Sequence, residues 1–192
     1  MFTALLDTCV LWPSLQRDFL LSLAVEGLYR PVWNVVILEE LEHEERVKWI
    51  ERGEEDLAAA KRARHLVKQM RQHFDDAEVT GWEGLEGTYG LPDPDDEHLV
   101  AAAFVANAGA IVTHNIRDLP QSKMPGGLQV LPPHEFAANT VAVDPARARA
   151  AISAIAGRSG RAGPRRTEAE ILKILTERYG MASAVETMLE LG

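Results

Sequence analysis

The feature that most constrains the fold is the alternation of short apolar runs with helical patterns along the chain. Apolar, β-rich runs occur at FTALL, YRPVWN, GAIV and GLQVL, and longer segments with apolar residues at helical spacing lie between them. Strands that alternate with helices favour parallel pairing, because parallel strands need long crossover connections. The sequence therefore predicts an α/β fold with a mainly parallel central sheet and helices on both faces.

The predicted helices fall into two groups. The first group comprises LQRDFLLSLAVEGL, VVILEELEHEERVKWI after a candidate N-cap at Asn34, the segment from Glu54 to His73, the run after LPDPDD, and HEFAAN. The second group comprises PARARAAISAIAG, EAEILKILTERYG and SAVETMLELG, with a Gly/Arg/Pro-rich linker, GRSGRAGPRRT, after its first member. We therefore predict a main domain at residues 1–140, followed at 141–192 by an Arg-rich linker and a small helical C-terminal extension.

Composition sets limits on the class of protein. The 192 residues are 46% hydrophobic and 26% charged, as in an ordinary globular chain. The single Cys9 cannot form an internal disulfide, no secretory signal pattern opens the chain, and no apolar run approaches the roughly 18 residues of a membrane span. P-loop, G-x-S-x-G and H-E-x-x-H motifs are also absent from the sequence. We expect a cytoplasmic protein that does not associate with membranes.

Charge is distributed unevenly along the chain. The formal net charge is −9, yet six arginines lie between Asp144 and Arg166: Arg147, Arg149, Arg158, Arg161, Arg165 and Arg166 itself. An acidic body with an arginine-rich segment could hold cations in one place and phosphates or an acidic partner in another. A solvated linker explains the arginines equally well, so charge alone leaves both interpretations open.

Four carboxylates crowd the start of the predicted helix in LPDPDDEHLVAAA. With Asp93 as N-cap and Pro94 in the first turn, Asp95 and Glu97 meet the helix dipole favourably. Asp96 fits this explanation least well, because it is in register with the predicted buried stripe of Leu99, Val100, Ala103, Phe104 and Asn107. A carboxylate at the edge of the core needs a cation or a hydrogen-bond partner. The pattern therefore favours a functional role for Asp96.

Further polar residues follow the predicted strands. Asp7 comes directly after the first strand, and the run GAIV is followed by Thr113, Asn115 and Asp118. Open parallel sheets bind their ligands at the carboxyl ends of the strands, although Asn115 and Asp118 could equally cap the next short helix. On the helix that follows Asn34, helical periodicity does not choose between Glu39 and Glu40.

Four motifs, taken in order, resemble the PIN domain, the nuclease fold of many bacterial VapC-type toxins. They are LLDTCVLWPS, VILEELEHE, LPDPDDEHLVAAA and IVTHNIRDLP, and the resemblance covers residues 1–138. It implies a three-layer α/β/α fold in which Asp7, Glu40 and Asp96 are the first three metal-binding acids. Many relatives carry the fourth acid where this chain has Asn115. Asp118 lies three residues later, so the resemblance leaves the fourth ligand between these two.

The resemblance implies a metal-dependent endoribonuclease that hydrolyses RNA phosphodiester bonds. Oxygen ligands of this kind select Mg²⁺ or Mn²⁺. The catalytic and metal-binding candidates are Asp7, Glu40, Asp96 and Asp118. The supporting candidates are Asn115, Thr113 and Asp93, and the candidate RNA contacts are Arg147, Arg149 and Arg158.

The resemblance also implies a biological role. As the toxin of a type II toxin–antitoxin system, the protein would form a homodimer and be restrained by a small cognate antitoxin. A PIN-fold nuclease that processes RNA outside such a system is the first alternative. The second is a catalytically silent PIN domain that binds RNA or protein, an alternative that the departure at Asn115 leaves open.

Overall fold

The computed structural model describes residues 1–160 and 164–190, and the elements of these residues follow the predicted alternation. The strands are β1 (Thr3–Leu6), β2 (Arg30–Val32), β3 (Ala110–Val112) and β4 (Gln129–Leu131). The helices are α1 (Thr8–Leu11), α2 (Ser14–Val25), α3 (Val35–Glu51), α4 (Asp56–His73), α5 (Glu97–Val105), α6 (Pro133–Val143), α7 (Pro145–Arg158), α8 (Glu168–Tyr179) and α9 (Ala182–Leu189). Short 3₁₀ turns occur at Glu83–Leu85, Pro94–Asp96 and Gln121–Lys123. Part of the predicted linker, residues 161–163, lies outside the described residues.

The four strands form one sheet in the order β2-β1-β3-β4. Strands β1 and β3 are parallel neighbours, with Ala4 opposite Ala110, Leu5 opposite Ile111 and Leu6 opposite Val112. All six side chains are completely buried. Continuous apolar runs of this kind are typical of parallel strands covered on both faces. The predicted α/β class with a parallel sheet and helices is confirmed.

One compact unit, residues 3–12 and 31–130, contains β1 and β3 together with helices α1, α3, α4 and α5. Within it, α3 packs along α4, and α5 lies against β1 and β3. Residues Glu97–Ala103 of α5 are all buried, but Phe104 is 55% exposed. Asn107, which follows the end of α5, is exposed as well, so the prediction that Phe104 and Asn107 continue the buried stripe is wrong. Helix α5 ends at Val105, so the stripe reaches the end of its helix at this position.

The other unit comprises residues 1–2, 13–30 and the described part of 131–192. Helix α2 packs against α7, and α6 packs against α9. Tyr29 and Phe136 meet edge to face with ring centroids 4.8 Å apart, and Arg158 donates a hydrogen bond to Ser22 Oγ at 2.7 Å. The helices predicted after residue 140 are confirmed as helices. The domain boundary at 140/141 stays a prediction, since compactness does not test independent folding.

No helix in residues 1–160 and 164–190 combines the length and the apolar character needed to cross a membrane.

The start of α3 depends on the predicted N-cap Asn34, which is fully buried. Its Oδ1 accepts a hydrogen bond from the backbone N–H of Ile37 at 3.0 Å. Its Nδ2 lies 3.0 Å from His98 Nδ1 and donates to the His98 carbonyl oxygen at 3.2 Å. One side chain therefore caps α3 and joins it to the first turn of α5.

We predict that Asn34→Ala lowers the free energy of unfolding by about 2–3 kcal/mol, because it removes a helix cap and leaves buried polar groups of His98 unpaired. Urea denaturation measures the change. Asn34→Asp is the matched variant, since it keeps the cap acceptor but loses the amide donor, and we expect an intermediate loss. Equal stability of Asn34→Ala and the parent would contradict the assigned role.

Candidate active site

The centre of the candidate site is formed where β1 and β3 end. The backbone N–H of Asp7 donates to the carbonyl of Val112 at 3.1 Å, which extends the parallel pairing by one residue. The hydroxyl of Thr113 donates to Asp7 Oδ2 at 2.6 Å. Asp7 is 8% exposed and Thr113 is fully buried. Parallel pairing thus brings these two predicted site residues into direct contact, as the strand ends indicated.

Cys9 is a contact of Asp7 that the sequence analysis did not identify. Its thiol donates to Asp7 Oδ2 at 3.0 Å, and its sulfur accepts the backbone N–H of His114 at 3.2 Å. Burial raises the pKa of the Cys9 thiol to about 12, and the negative charge of Asp7 adds to the shift. The thiol therefore stays protonated near neutral pH and serves as a hydrogen-bond donor to Asp7.

Glu40 on α3 reaches the same end of β1. Thr8, the residue after Asp7, donates from its hydroxyl to Glu40 Oε2 at 2.6 Å. The neighbouring Glu39 instead acts electrostatically on Arg71 of α4, where it helps to raise the pKa of the guanidinium after the larger effect of Glu78. Of the two glutamates that periodicity could not separate, the structure brings Glu40 to the β1 end.

Asp96 is the last residue of the 3₁₀ turn that precedes α5. Asn115 Nδ2 donates to Asp96 Oδ2 at 2.9 Å, and the Asn115 backbone N–H donates to Thr113 Oγ1 at 2.9 Å. Asn115 therefore connects the β3 end to Asp96. Asp93 caps the turn by accepting the N–H of Asp95 at 3.0 Å, which matches its predicted capping position. Neither Asn115 nor Asp118 caps the next turn, since Pro120 holds that position.

The acids of the site act on one another electrostatically. Burial raises the pKa of Asp96 to about 6, and the negative charges of Asp7, Asp93, Asp118 and Glu40 add to the shift. These groups come from the end of β1, from α3, from the turn before α5 and from the loop after β3. The other three predicted acids, Asp7, Glu40 and Asp118, therefore all act on the half-buried carboxyl group of Asp96.

The donor set suits a hard divalent cation. One oxygen each of Asp7, Glu40 and Asp96 accepts a hydrogen bond from a neutral neighbour, and in the described part of the chain no hydrogen bond reaches their second oxygens. No group of three or more His, Cys, Asp or Glu side chains within residues 1–160 and 164–190 is arranged to hold a metal ion. Mg²⁺ is commonly held by only one or two carboxylates and several waters, so the donor chemistry fits it.

A buried glutamate, Glu97, holds the loop before the site and was also missed. It accepts the backbone N–H groups of Tyr89, Gly90 and Leu91 at 3.2, 2.7 and 3.2 Å. Burial alone would raise the pKa of Glu97, but these donors outweigh it and hold the pKa below its usual range. Its position in the first turn of the predicted helix indicated only a favourable electrostatic interaction with the helix dipole. Glu97 instead anchors the loop that leads to Asp96.

The three candidate RNA-contacting arginines lie in the other unit, where each has a partner. Arg147 forms an ion pair with Asp144 at 3.4 Å, Arg149 pairs with Glu168 at 3.2 Å, and Arg158 donates to Ser22. Their role toward RNA stays a prediction.

Residues 3–117 match the PIN domain family, which is more than half of the chain. The chain belongs to the PIN domain family. No curated protein and no solved structure gives a significant match. PIN domains are generally nucleases that use divalent metals and act on RNA or other nucleic acids. The match spans Asp7, Glu40, Asp96 and Asn115, and it ends one residue before Asp118. The VapC-type subtype stays a prediction.

We predict that Asp96→Asn stabilises the metal-free PIN domain above pH 6 and has little effect below pH 4. The folded pKa lies above the ordinary value of 3.8, so the folded state binds more protons than the unfolded state between these limits and loses stability as pH rises. After solvent screening we expect a gain on the order of 1 kcal/mol at pH 7. Urea denaturation in chelator at pH 4 and pH 7 measures it.

Asp95→Asn is the matched control, because it removes the same charge at an exposed neighbouring position. A gain for Asp96→Asn that is equal at both pH values, or that the control reproduces, would show that the repulsion is not centred on Asp96.

Proposed function

We propose that this PIN domain is a metal-dependent endoribonuclease that hydrolyses RNA phosphodiester bonds. The observation that supports this function best is the grouping of three acids at one end of the sheet: Asp7 is bound by Thr113, Glu40 by Thr8, and Asp96 by Asn115, whose backbone is bound to Thr113. Carboxylates that repel one another in a half-buried site lower the stability of the fold unless a cation joins them. The chain belongs to a family whose members are generally nucleases that use divalent metals, and such a cation would offset the repulsion between these carboxylates.

In the proposed mechanism, Asp7, Glu40 and Asp96 hold Mg²⁺ or Mn²⁺, and Asp118 is the fourth acid of the set. The bound ion supplies Lewis-acid chemistry by lowering the pKa of water and neutralising charge on the phosphate. Three neutral donors, Thr113, Thr8 and Asn115, each fix one oxygen of a carboxylate. The second oxygen of each acid would then be available to an ion. Because no three acids in residues 1–160 and 164–190 are arranged to hold an ion, we expect these side chains to move toward it as it binds.

Asn115 stands where many relatives carry an acid. Its amide donates a hydrogen bond to Asp96 and adds no negative charge, so we assign it a positioning role and assign Asp118 the place of the fourth ligand. This departure also supports a second candidate function, a catalytically silent PIN domain that binds RNA or protein.

We predict that the purified parent cleaves labelled structured RNA with Mg²⁺ or Mn²⁺ and that chelator abolishes cleavage. Asp96→Asn should lower the cleavage rate by at least about 100-fold, because it weakens the hold on the ion. Asp95→Asn, the matched variant, should retain near-parental activity. Gel analysis of the products over time gives the rates, and Mn²⁺ binding followed by electron paramagnetic resonance reports the site independently of activity.

Cleavage that survives chelator would exclude metal dependence. A folded parent that binds RNA and Mn²⁺ but cuts none of the RNAs would favour the silent domain.

For the biological role, we propose the toxin of a type II toxin–antitoxin system, a homodimer restrained by a small cognate antitoxin that covers the acidic cleft. Resemblance of the four motifs to VapC-type toxins supports this role. Induced expression of the parent should arrest bacterial growth, whereas Asp96→Asn at the same level should not. Colony counts after induction measure the effect. RNA cleavage in vitro without growth arrest would favour an RNA-processing nuclease outside such a system.

A further inference from the structure

Helix α4 presents an exposed row of basic side chains, which we call the α4 basic face: Lys61, Arg64, His65 and Lys68. All four are exposed, whereas Ala59, Ala63, Val67 and Met70 form the buried side of the same helix. The residues of the face are spaced three and four apart, so they are neighbours on one side of the helix. From Leu57 to His73 the sequence contains no Asp or Glu, although the whole chain carries a net charge of −9.

Among the described residues, no carboxylate forms an ion pair with Lys61, Arg64 or Lys68 of the α4 basic face. Other bases on α4 are paired: Arg62 with Glu54 at 2.9 Å, and Arg71 with Glu78 at 2.6 Å. Like charges three and four residues apart destabilise a helix. The face therefore carries a repulsion that an external anion would relieve.

Acidic residues lie near both ends of α4: Glu54 pairs with Arg62 and Asp56 with Arg46 on the N-terminal side, and Glu78 pairs with Arg71 at the C-terminal end. Residues of α3 and α4 line an open groove of about 530 Å³ that includes Glu42, Arg64, Lys68 and Arg71. The pKa of Arg71 is raised first by Glu78 and further by Glu42 and Glu39. Acids thus compensate Arg62 and Arg71, whereas Lys61, Arg64 and Lys68 keep their positive charge without an ion pair among the described residues.

The α4 basic face belongs to the same compact unit as the candidate active site. Helix α4 packs along α3, and α3 carries Glu40. From Lys61 to Lys68 the helix rises about 10 Å, and a strand of duplex places a phosphate about every 3.4 Å along its axis. The face is therefore long enough to follow about three phosphates.

We propose that the α4 basic face binds the phosphate backbone of the RNA substrate, an inference that rests on the proposed function. Between Lys61 and Lys68 the helix exposes no large apolar side chain; one turn earlier, Leu57 is 74% exposed. Protein interfaces are built around an apolar centre of several side chains. A row of cations with one apolar side chain at its end suits the sequence-independent attraction of a phosphate backbone. The contact positions the RNA and carries no base specificity.

The test measures RNA binding in chelator by fluorescence anisotropy, with a labelled structured RNA and the full chain. The variant is Lys61→Gln/Arg64→Gln/Lys68→Gln. The control is Arg52→Gln/Lys173→Gln/Arg178→Gln, which removes three exposed positive charges outside α4 and outside the arginine-rich segment. We expect the α4 variant to bind at least about 10-fold more weakly near 0.1 M salt, and its slope of log affinity against log salt to fall by about 3, or 0.9 for each lost duplex phosphate contact.

Thermal unfolding separates lost binding from lost folding. The α4 variant should unfold at the same temperature as the parent or higher, because it relieves like-charge repulsion. The proposal is overturned if the α4 variant matches the parent in both unfolding temperature and RNA affinity. It is also overturned if the control substitutions weaken RNA binding as much as the α4 substitutions do. The proposal is likewise overturned if the parent binds poly-glutamate as tightly as RNA and the three α4 substitutions abolish that binding. This result would indicate an acidic protein partner.

Cleavage assays on the same proteins keep this proposal separate from the proposed function. A parent that binds RNA through α4 but cleaves none with any metal supports the basic face and contradicts the nuclease. A parent that cleaves RNA while the α4 variant retains full binding supports the nuclease and overturns the basic face.

Discussion

The parallel pairing of β1 with β3 is the interaction on which the candidate site depends. It continues one residue beyond the strands, through the hydrogen bond from Asp7 to Val112, and so places Asp7 beside the hydroxyl of Thr113. The contacts of Cys9 and Asn115 are built on this pair. A slip of one residue would turn Asp7 toward the opposite face of the sheet. The buried, fully apolar register of the two strands opposes such a slip.

Two concentrations of like charge lie in one compact unit of the protein. Carboxylates gather around Asp96, and bases line the exposed side of α4. Each group lowers the stability of the isolated chain, and each would be relieved by a ligand of opposite sign. A cation and a phosphate backbone are together the ligands that a metal-dependent ribonuclease brings into contact. Local departures from the most stable arrangement are expected at functional sites.

Much of the fold could be predicted because its elements have strong periodicity and clear boundaries. Asp7 and Asp96 were predictable as members of the candidate site, because a carboxylate beside a buried apolar run is unfavourable without a cation or a hydrogen-bond donor. The choice between Glu39 and Glu40 needed the position of Thr8, which depends on how α3 meets the β1 end. The contacts of Glu97 could not be predicted, because its partners are backbone N–H groups and these do not depend on which side chains the sequence carries. The exposure of Phe104 was missed because periodicity does not reveal where a helix ends.

The way in which Glu97 holds its loop has a consequence for sequence divergence. The carboxylate binds three consecutive peptide groups, and every residue type except proline supplies such a group. Side chains in the loop can therefore drift among descendants of this protein without moving the turn that carries Asp96. Gly90, with a φ of 64°, is the position within this anchored stretch where drift is most restricted. The loop can thus acquire new surface chemistry over evolutionary time while the acidic site behind it keeps its geometry.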